Sequence, residues 1–316
     1  MFKGINGSES WDIIEEVKKG WSEDKKYHII TKDEEHLLLR ISDIKFYERK
    51  QKEYKILLEL SKLDFEMSKP VDFGICDSGV YMLLKWIEGE DLETAILKKD
   101  TIEQYNLGII SGKILKKIHS INIHSNMDSW ENRFNKKIDL KIKAYLECPL
   151  KYEDGELFIE HINRNRHLLN GIESTLQHGD YHVGNMILTN SDDVAIIDFN
   201  RYDFGDPYEE FNRIIWDIKV SKAFAAGKID GYFNGNIPEK FFQLLALYIS
   251  VNTISSLPWA IPFGDEQINI MKEQATKALI DYDYFNIIIP KWYTDAKVIL
   301  AEEFFKKSEL KHTAPI

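Results

Sequence analysis

The chain has 316 residues, enough for one large domain or two modest ones. Hydrophobic residues make up 44% of it, an ordinary share for a globular protein and too high a share for a disordered one. Acidic residues outnumber Lys and Arg by 52 to 41, which gives a net charge of −11, and no dense basic tract is present. We therefore expect no nucleic-acid partner, because binding its phosphates requires a basic surface.

The N-terminal residues and the apolar runs predict the compartment. Residues 1–8 have no apolar signal core, and the longest apolar runs, such as residues 241–249, are shorter than a membrane span. We expect a cytoplasmic protein with no membrane partner. In that compartment the two cysteines, Cys76 and Cys148, are expected to be free thiols.

The N-terminal part of the chain reads as strands around one helix. Residues 18–41 are predicted to form strands on both sides of a turn at 32–35, because β formers flank a charged tetrapeptide. A later pair of short strands is joined by Asp77-Ser78-Gly79, a good hairpin turn. The predicted elements are strands at 26–31, 36–41, 71–76 and 80–87 and a helix at 46–63.

After residues 88–91 the pattern becomes mainly helical. One exception is a predicted hairpin, with short apolar strands at 186–188 and 194–199 around a polar turn. The predicted helices are 102–121, 134–146, 156–169, 207–224, 238–255, 267–280 and 291–305. This order predicts an α+β protein with a β-rich domain at 1–88 and a helical domain at 89–316.

The most informative segment is residues 178–185, which match the pattern His-x-Asp-x-x-x-x-Asn. Asp198 follows at the end of the next apolar strand. Phosphoryl transfer needs a hydroxyl aimed in line and a metal ion that neutralises the developing charge. Asp180 could accept the hydroxyl proton, while Asn185 and Asp198 offer the hard oxygen ligands that Mg²⁺ prefers. The spacing therefore predicts Asp180 as the catalytic residue and the other two as metal ligands.

This segment resembles the aminoglycoside phosphotransferase family, which also contains macrolide and choline kinases. His182 lies where protein kinases carry Lys, and the His-Gly-Asp-x-His-x-x-Asn pattern is similar to that of antibiotic and metabolite kinases. Residues 197–207 also look like the family. The resemblance implies a two-lobed protein-kinase-like fold, with Asp180 as the catalytic residue and Asn185 and Asp198 holding Mg²⁺.

A phosphate-binding cation is expected on the third strand, paired with an acidic residue on the following helix. Arg40 lies in the corresponding strand, although Lys is usual at this place and the two side chains are not equivalent. An ordinary strand cation is the alternative interpretation. Glu53 is the best match for the acidic partner, and Glu48 and Glu59 are its rivals.

The nucleotide, ATP or GTP, is expected to meet a loop and a hinge. No Gly-x-Gly-x-x-Gly motif exists, but residues 20–27 lie where it would be and are similar to the Ser-containing phosphate loops of aminoglycoside kinases. The predicted phosphate contacts are Ser22, Lys25 and Lys26. The predicted contacts to the base are Leu38, Lys85, Trp86, Ile87 and Ile197, with the backbone of 85–87 leading into a hinge at Glu88-Gly89.

An acidic segment is the candidate for binding the acceptor. Residues 192–217 contain eight acids and two bases, a charge balance that would attract an amine-bearing molecule. The alternative is that these acids serve metal binding and a helix N-terminus. The predicted acceptor contacts are Asp203, Asp206, Glu209 and Glu210.

Three functions fit these patterns. The favoured one is an antibiotic kinase acting on an aminoglycoside-like hydroxyl, and the second is a metabolite kinase for choline, an amino alcohol or a sugar. The third is a non-catalytic nucleotide-binding protein, which the intact Asp180, Asn185 and Asp198 argue against. A protein kinase is disfavoured because only seven residues separate Asp198 from Asp206, too few for a regulated activation loop. Acceptor, nucleotide preference and oligomeric state are left open.

Overall fold

A computed structural model describes residues 2–18, 24–121 and 127–312. The strands are β1 (Trp11–Glu16), β2 (Lys25–Thr31), β3 (His36–Ser42), β4 (Glu66–Met67), β5 (Pro70–Cys76), β6 (Gly79–Lys85), β7 (Gly89–Asp91), β8 (Thr175–Gln177), β9 (Met186–Thr189), β10 (Val194–Ile196) and β11 (Asp203–Gly205). The α-helices are α1 (Tyr47–Leu60), α2 (Leu92–Ala95), α3 (Thr101–Ile118), α4 (Trp130–Glu147), α5 (Gly155–Asn165), α6 (Ile214–Val220), α7 (Lys222–Phe233), α8 (Glu239–Ala260), α9 (Asp265–Asp281) and α10 (Lys291–His312).

The chain divides into two compact units. The first consists of residues 1–95 with 184–202, and the second consists of 96–183 with 203–316. The α+β class predicted from the sequence is confirmed, with sheets in the first unit and mainly helices in the second. Residues 184–202, which the sequence places in the helical domain, group with the first unit because β9 and β10 pair there with β7 and β4.

The first unit is organised by an antiparallel sheet with the strand order β1-β2-β3-β6-β5. Side chains of a strand alternate between the two faces of its sheet. One face carries the buried core, which includes Ile29, Leu39 and Leu83. The other face carries the cross-strand pair Lys26 and Arg40, together with His28 opposite Leu38. This second face is the one on which the sequence predicts nucleotide contacts.

A smaller sheet in the first unit positions the predicted metal ligands. Its order is β4-β10-β9-β7, and Met186 on β9 pairs with Ile196 on β10. Asn185 immediately precedes β9, and Asp198 follows β10 by two residues. Both side chains are therefore placed at the same end of one hairpin, as its sequence pattern predicts.

In the second unit, α3 and α7 pack together at a distance that only glycine allows. A Cβ atom on Gly112 of α3 would lie 2.1 Å from the carbonyl oxygen of Lys228, and one on Gly231 of α7 would lie 2.2 Å from that of Ile109. Atoms that close repel strongly, so alanine at either position would push the helices apart. The close packing buries α7 and holds Lys228 in the interior.

Most predicted elements are confirmed within a few residues. The helix predicted over residues 207–224 is wrong as one piece, and β1, β4, β7, β8, β11 and α2 were not predicted. Ser221 adopts an extended conformation with φ −155°, and its side chain accepts a hydrogen bond from the backbone N–H of Phe224. It therefore ends α6 and caps the start of α7. Both cysteines are free, as predicted, and both are buried.

Among the described residues, one helical stretch, Glu239–Phe263, is long and apolar enough to cross a membrane. Within its most apolar window, 67% lies buried inside the protein. A core helix of a globular protein has the same length and composition, so this stretch is weak evidence for a membrane span.

Candidate active site

Arg40 lies at the centre of a buried charge network in the first unit. Its side chain is 5% exposed, and Nη1 donates to Glu53 Oε1 at 3.0 Å. The rivals Glu48 and Glu59 are exposed on α1, so the structure pairs Arg40 with Glu53. Burial opposes a charged guanidinium, but the carboxylates of Glu53 and Asp24 outweigh it and raise the pKa of Arg40.

Asp24 and Lys50 complete this network, and the sequence analysis did not single them out. Asp24 Oδ2 accepts from Arg40 Nη2 at 2.6 Å and from Lys50 Nζ at 2.7 Å, and Asp24 Oδ1 accepts from the Ser42 hydroxyl at 2.6 Å. Burial favours the neutral carboxyl, yet the two cations hold the pKa of Asp24 well below its usual range. The signal for Lys50 was its position three residues before Glu53, on the same helix face, where it lies 3.2 Å from Glu53 Oε2.

The two predicted metal ligands lie within the first unit. The backbone N–H of Ile197 donates to the Asn185 carbonyl oxygen at 3.1 Å, which ties the two ends of the hairpin together. Asp198 has a left-handed backbone conformation, with φ 66°, and its side chain is 29% exposed. An amide oxygen and a partly exposed carboxylate at one hairpin end fit the ligand preference of Mg²⁺. Asp198 Oδ1 also lies 3.8 Å from Arg40 Nη1, which joins the predicted metal site to the charge network.

The predicted base-binding segment, residues 85–87, is held by backbone hydrogen bonds. The N–H groups of Lys85 and Trp86 donate to the carbonyl oxygens of Lys69 and His36, at 2.8 and 3.1 Å. A purine would thus have to use hinge carbonyls or the backbone of Ile87. The Lys85 ammonium group forms an exposed ion pair with Glu35.

Other predicted nucleotide contacts differ in their placement. Leu38 lies on the same sheet face as Arg40, and Lys26 is the cross-strand neighbour of Arg40. Lys25 is exposed, and Ile197 is half-buried beside Asp198. Ser22 lies outside the described residues, so its predicted role stays a prediction.

In the second unit, two buried carboxylates hold the backbone of the predicted catalytic loop. Glu210 accepts from the N–H groups of His178 at 2.6 Å and Gly179 at 3.0 Å. Asp217 Oδ1 accepts from the N–H of Val183 at 2.8 Å, and its other oxygen pairs with the buried Lys228 ammonium. Charge-assisted bonds of this kind are stronger than neutral ones, so the loop is firmly fixed.

Asp180 projects from this loop and keeps part of its carboxylate accessible. Its side chain is 19% exposed, and Oδ1 lies 3.2 Å from Arg213 Nε and 3.8 Å from His182 Nε2. Burial lowers the pKa of His182 although Asp180 opposes this, so the imidazole favours its neutral form. Arg213, one of the two bases counted in the acidic segment, is therefore a charged neighbour of Asp180.

The predicted acceptor contacts fall into two groups. Asp206 and Glu210 are each only 2% exposed, and both accept internal hydrogen bonds. The prediction that these two residues contact the acceptor is therefore wrong. Asp206 accepts from the hydroxyl of Tyr248 and the N–H of Tyr208, and burial raises its pKa to about 6. The other two, Asp203 and Glu209, lie nearer the surface and stay predictions.

A family model described as the phosphotransferase enzyme family matches residues 13–241. No curated protein matches the sequence at a significant level.

Several solved structures resemble the chain over most of its length. The ADP-bound aminoglycoside phosphotransferase APH(2'')-Ib has 18% identity and a TM-score of 0.59, and the alignment covers 90% of this chain and 95% of that one. The GDP complex of aminoglycoside 2'-phosphotransferase-IIIa has 13% identity and a TM-score of 0.63, with 85% and 93% covered. A complex of APH(2'')-IIa with gentamicin has 18% identity and a TM-score of 0.60, with 84% and 92% covered. These likenesses show a kinase-like fold.

Proposed function

This chain belongs to the phosphotransferase enzyme family, and from that premise we propose that it transfers the γ-phosphate of Mg²⁺-bound ATP or GTP to a hydroxyl group of a small, cationic molecule. The observation that carries the proposal is the contrast at residues 178–183. Buried Glu210 and Asp217 occupy the backbone N–H groups of this loop, while the carboxylate of Asp180 stays partly exposed. A loop held so firmly around one accessible carboxylate is suited to general-base catalysis.

Asp180 is the proposed base for the acceptor hydroxyl. As the acceptor oxygen forms its bond to the γ-phosphorus, its proton passes to a carboxylate oxygen of Asp180, and the bond between the γ-phosphorus and the β,γ-bridging oxygen breaks. The products are a phosphorylated acceptor and a nucleoside diphosphate. Arg213, 3.2 Å from Asp180 Oδ1, would stabilise the ionised form of this carboxylate.

The first unit supplies the proposed nucleotide contacts. Arg40 and Lys50 together offer two cations to the phosphates, and both bind Asp24 Oδ2 in this structure. Asn185 and Asp198 would hold Mg²⁺, which when bound neutralises charge on the phosphates. Because a phosphate oxygen and a carboxylate oxygen present similar charge and geometry, we infer that the nucleotide displaces Asp24 from these cations.

An aminoglycoside-like antibiotic is the favoured acceptor. The structural neighbours include complexes with gentamicin and with hygromycin B, both bound to proteins of this fold. The net charge of −11 and the accessible Asp203 and Glu209 support a cationic acceptor in this chain as well. The proposal includes a role in antibiotic resistance, a cytoplasmic location, and no nucleic-acid or membrane partner.

A panel of acceptors tests the proposed function. The purified protein is incubated with Mg²⁺ and either ATP or GTP, together with aminoglycosides, a macrolide, choline, amino alcohols or sugars. The proposal predicts stoichiometric formation of phosphorylated product, seen by mass spectrometry, with the highest kcat/KM for a polyamine acceptor. Preference for choline or a sugar would replace the antibiotic with a metabolite. No nucleotide-dependent product and no nucleotide binding would overturn the proposal.

A further inference from the structure

Three side chains that could bind a metal ion converge at the predicted hinge, and the proposed reaction uses none of the three. They are His28 on β2, His36 on β3 and Glu88, the first residue of the predicted hinge. Their ligand atoms all lie within 4.8 Å of one another, and this is the one such group among the residues the structure describes. We propose that His28, His36 and Glu88 bind a divalent transition-metal ion of the zinc type.

The interatomic distances are close to those of a metal site. His28 Nε2 lies 2.9 Å from His36 Nδ1, which in turn lies 3.0 Å from Glu88 Oε1. Ligands bound to zinc at about 2.0–2.2 Å in a tetrahedron are separated by roughly 3.3–3.5 Å. Two of the three distances therefore come within a few tenths of an ångström of the tetrahedral value, and all three lie within 4.8 Å. Two imidazoles and a carboxylate suit zinc and its neighbours better than Mg²⁺, which prefers oxygen ligands alone.

Hydrogen bonds alone satisfy this cluster poorly. His36 Nδ1 lies within hydrogen-bond distance of both His28 Nε2 and Glu88 Oε1, but a ring nitrogen carries at most one proton. If His36 Nδ1 is protonated, one proton serves both contacts. If it is not, its lone pair faces the carboxylate oxygen of Glu88 directly. A cation at the centre would turn the converging lone pairs into ligands.

The surrounding residues hold the ligands in place. The backbone of His36 is fixed by pairing with Ile30 on β2 and by the N–H of Trp86, which donates to the His36 carbonyl oxygen at 3.1 Å. The ring of Trp86 stacks on that of His28, with 4.1 Å between centroids. These contacts involve both strands, so the positions of His28 and His36 are prearranged.

The outer surroundings also resemble those of a metal site. Glu15 Oε2 lies 3.8 Å from His28 Nδ1, the ring nitrogen that points away from the cluster. This distance is longer than a hydrogen bond, so Glu15 would have to move closer to orient a metal-binding imidazole and favour the tautomer with a free Nε2 lone pair. His28, His36 and Glu88 become progressively more exposed, at 16%, 36% and 58% of the side chain. Water could thus reach the fourth ligand position from the Glu88 side.

The proposed ion would connect the β2–β3 hairpin to Glu88 in the predicted hinge. His28 lies on the same sheet face as Arg40, and Leu38 is its cross-strand partner. The ion would therefore lie beside the predicted base contacts and would be distinct from Mg²⁺ at Asn185 and Asp198. Binding of the ion requires no nucleotide and no catalysis.

Cobalt(II) is a suitable probe, because its visible absorption reports a tetrahedral nitrogen and oxygen environment. Wild-type protein without nucleotide is titrated with Co²⁺, and Zn²⁺ is then added in competition. We expect one equivalent to bind with micromolar affinity. His36→Ala and Glu88→Gln should each weaken binding roughly tenfold or more. The control, His167→Ala, removes an exposed histidine outside the cluster and should bind as wild type.

Circular dichroism is used to check that each variant is folded. Glu88→Gln, at an exposed position, should disrupt the fold least. Absence of saturable Co²⁺ and Zn²⁺ binding to the wild type would overturn the proposal. So would unchanged binding by the triple variant His28→Ala, His36→Ala, Glu88→Gln. Because no nucleotide is present, failure of the metal site and failure of the kinase assignment give separate results.

Discussion

The two units use buried carboxylates in opposite ways. In the first, Asp24 and Glu53 bind the side-chain cations of Arg40 and Lys50. In the second, Glu210 and Asp217 bind backbone N–H groups of the loop that carries Asp180. A side-chain cation can exchange one anionic partner for another, whereas a backbone N–H loses its partner only if the loop moves. The first arrangement is suited to admitting phosphates, and the second to holding a catalytic carboxylate in place.

The largest effect is expected from removing Asp217, one of the buried carboxylates that hold the loop at 178–183. Asp217→Ala would leave the ammonium group of Lys228 unpaired in the interior and would remove the acceptor of the Val183 N–H. Breaking a buried pair in this way costs about 3–5 kcal/mol, so the free energy of unfolding should fall by that amount. Urea denaturation at neutral pH measures it.

An exposed ion pair in the same unit serves as the control. Asp295 lies 3.4 Å from Lys222 Nζ, and both side chains are accessible to water. Asp295→Ala should change the free energy of unfolding by less than about 1 kcal/mol. Equal losses for Asp217→Ala and Asp295→Ala would show that the buried carboxylate is not essential to the loop.

Asp206 sharpens the comparison, because it is a buried carboxylate that binds a neutral hydroxyl and one N–H. Its pKa is about 6 in the folded protein against an ordinary 3.8. The folded state thus binds the proton more tightly, so the free energy of unfolding should fall as pH rises from about 4 to about 6 and then level off. The upper limit of this contribution is about 3 kcal/mol.

Asp206→Asn should remove that part of the pH dependence. The measurement is the difference in the free energy of unfolding between wild type and variant, followed from pH 4 to pH 7. A constant difference over this range would mean that the carboxyl titrates normally in the folded protein.

The smallest effect is expected from replacing Asp24, the carboxylate that binds Arg40 and Lys50. Asp24→Asn keeps the shape of the side chain but removes the charge that competes with phosphate for Arg40 and Lys50. Nucleotide should then bind more tightly, by about tenfold, equivalent to about 1.4 kcal/mol, as calorimetry would show. The exposed Asp33→Asn, which changes the net charge equally, should have no effect. Weaker binding by Asp24→Asn would mean that Asp24 supports the phosphate site instead of competing for it.

The spacing of polar residues predicted the parts of the site that lie close together in sequence. Asn185 and Asp198 were expected at one end of a hairpin, and pairing of Met186 with Ile196 puts them there. Arg40 was expected to pair with Glu53, because strand alternation and helix position limit the choices, and the two side chains are 3.0 Å apart. Local periodicity is sufficient for such cases.

Long-range partners were not predictable in the same way. Glu210 contacts a loop about thirty residues away in the chain, and nothing in its own neighbourhood distinguishes it from the more accessible Glu209. The acid-rich segment thus suggested a binding surface, whereas in the structure Glu210 of this segment is buried and binds the backbone of the loop. Likewise, β1 is short and mostly exposed, so it lacks the apolar alternation that marks a strand.

The central claim is that Asp180 acts as the base while the first unit binds the nucleotide. Asp180→Asn keeps the size of the side chain and one hydrogen-bonding oxygen, but it removes the charge and the basicity. General-base catalysis contributes about 10²–10⁴-fold, so kcat for the acceptor identified in the panel should fall by that factor. Nucleotide Kd should be unchanged, because Arg40, Asn185 and Asp198 remain. Transfer by Asp180→Asn at the wild-type rate would contradict the account.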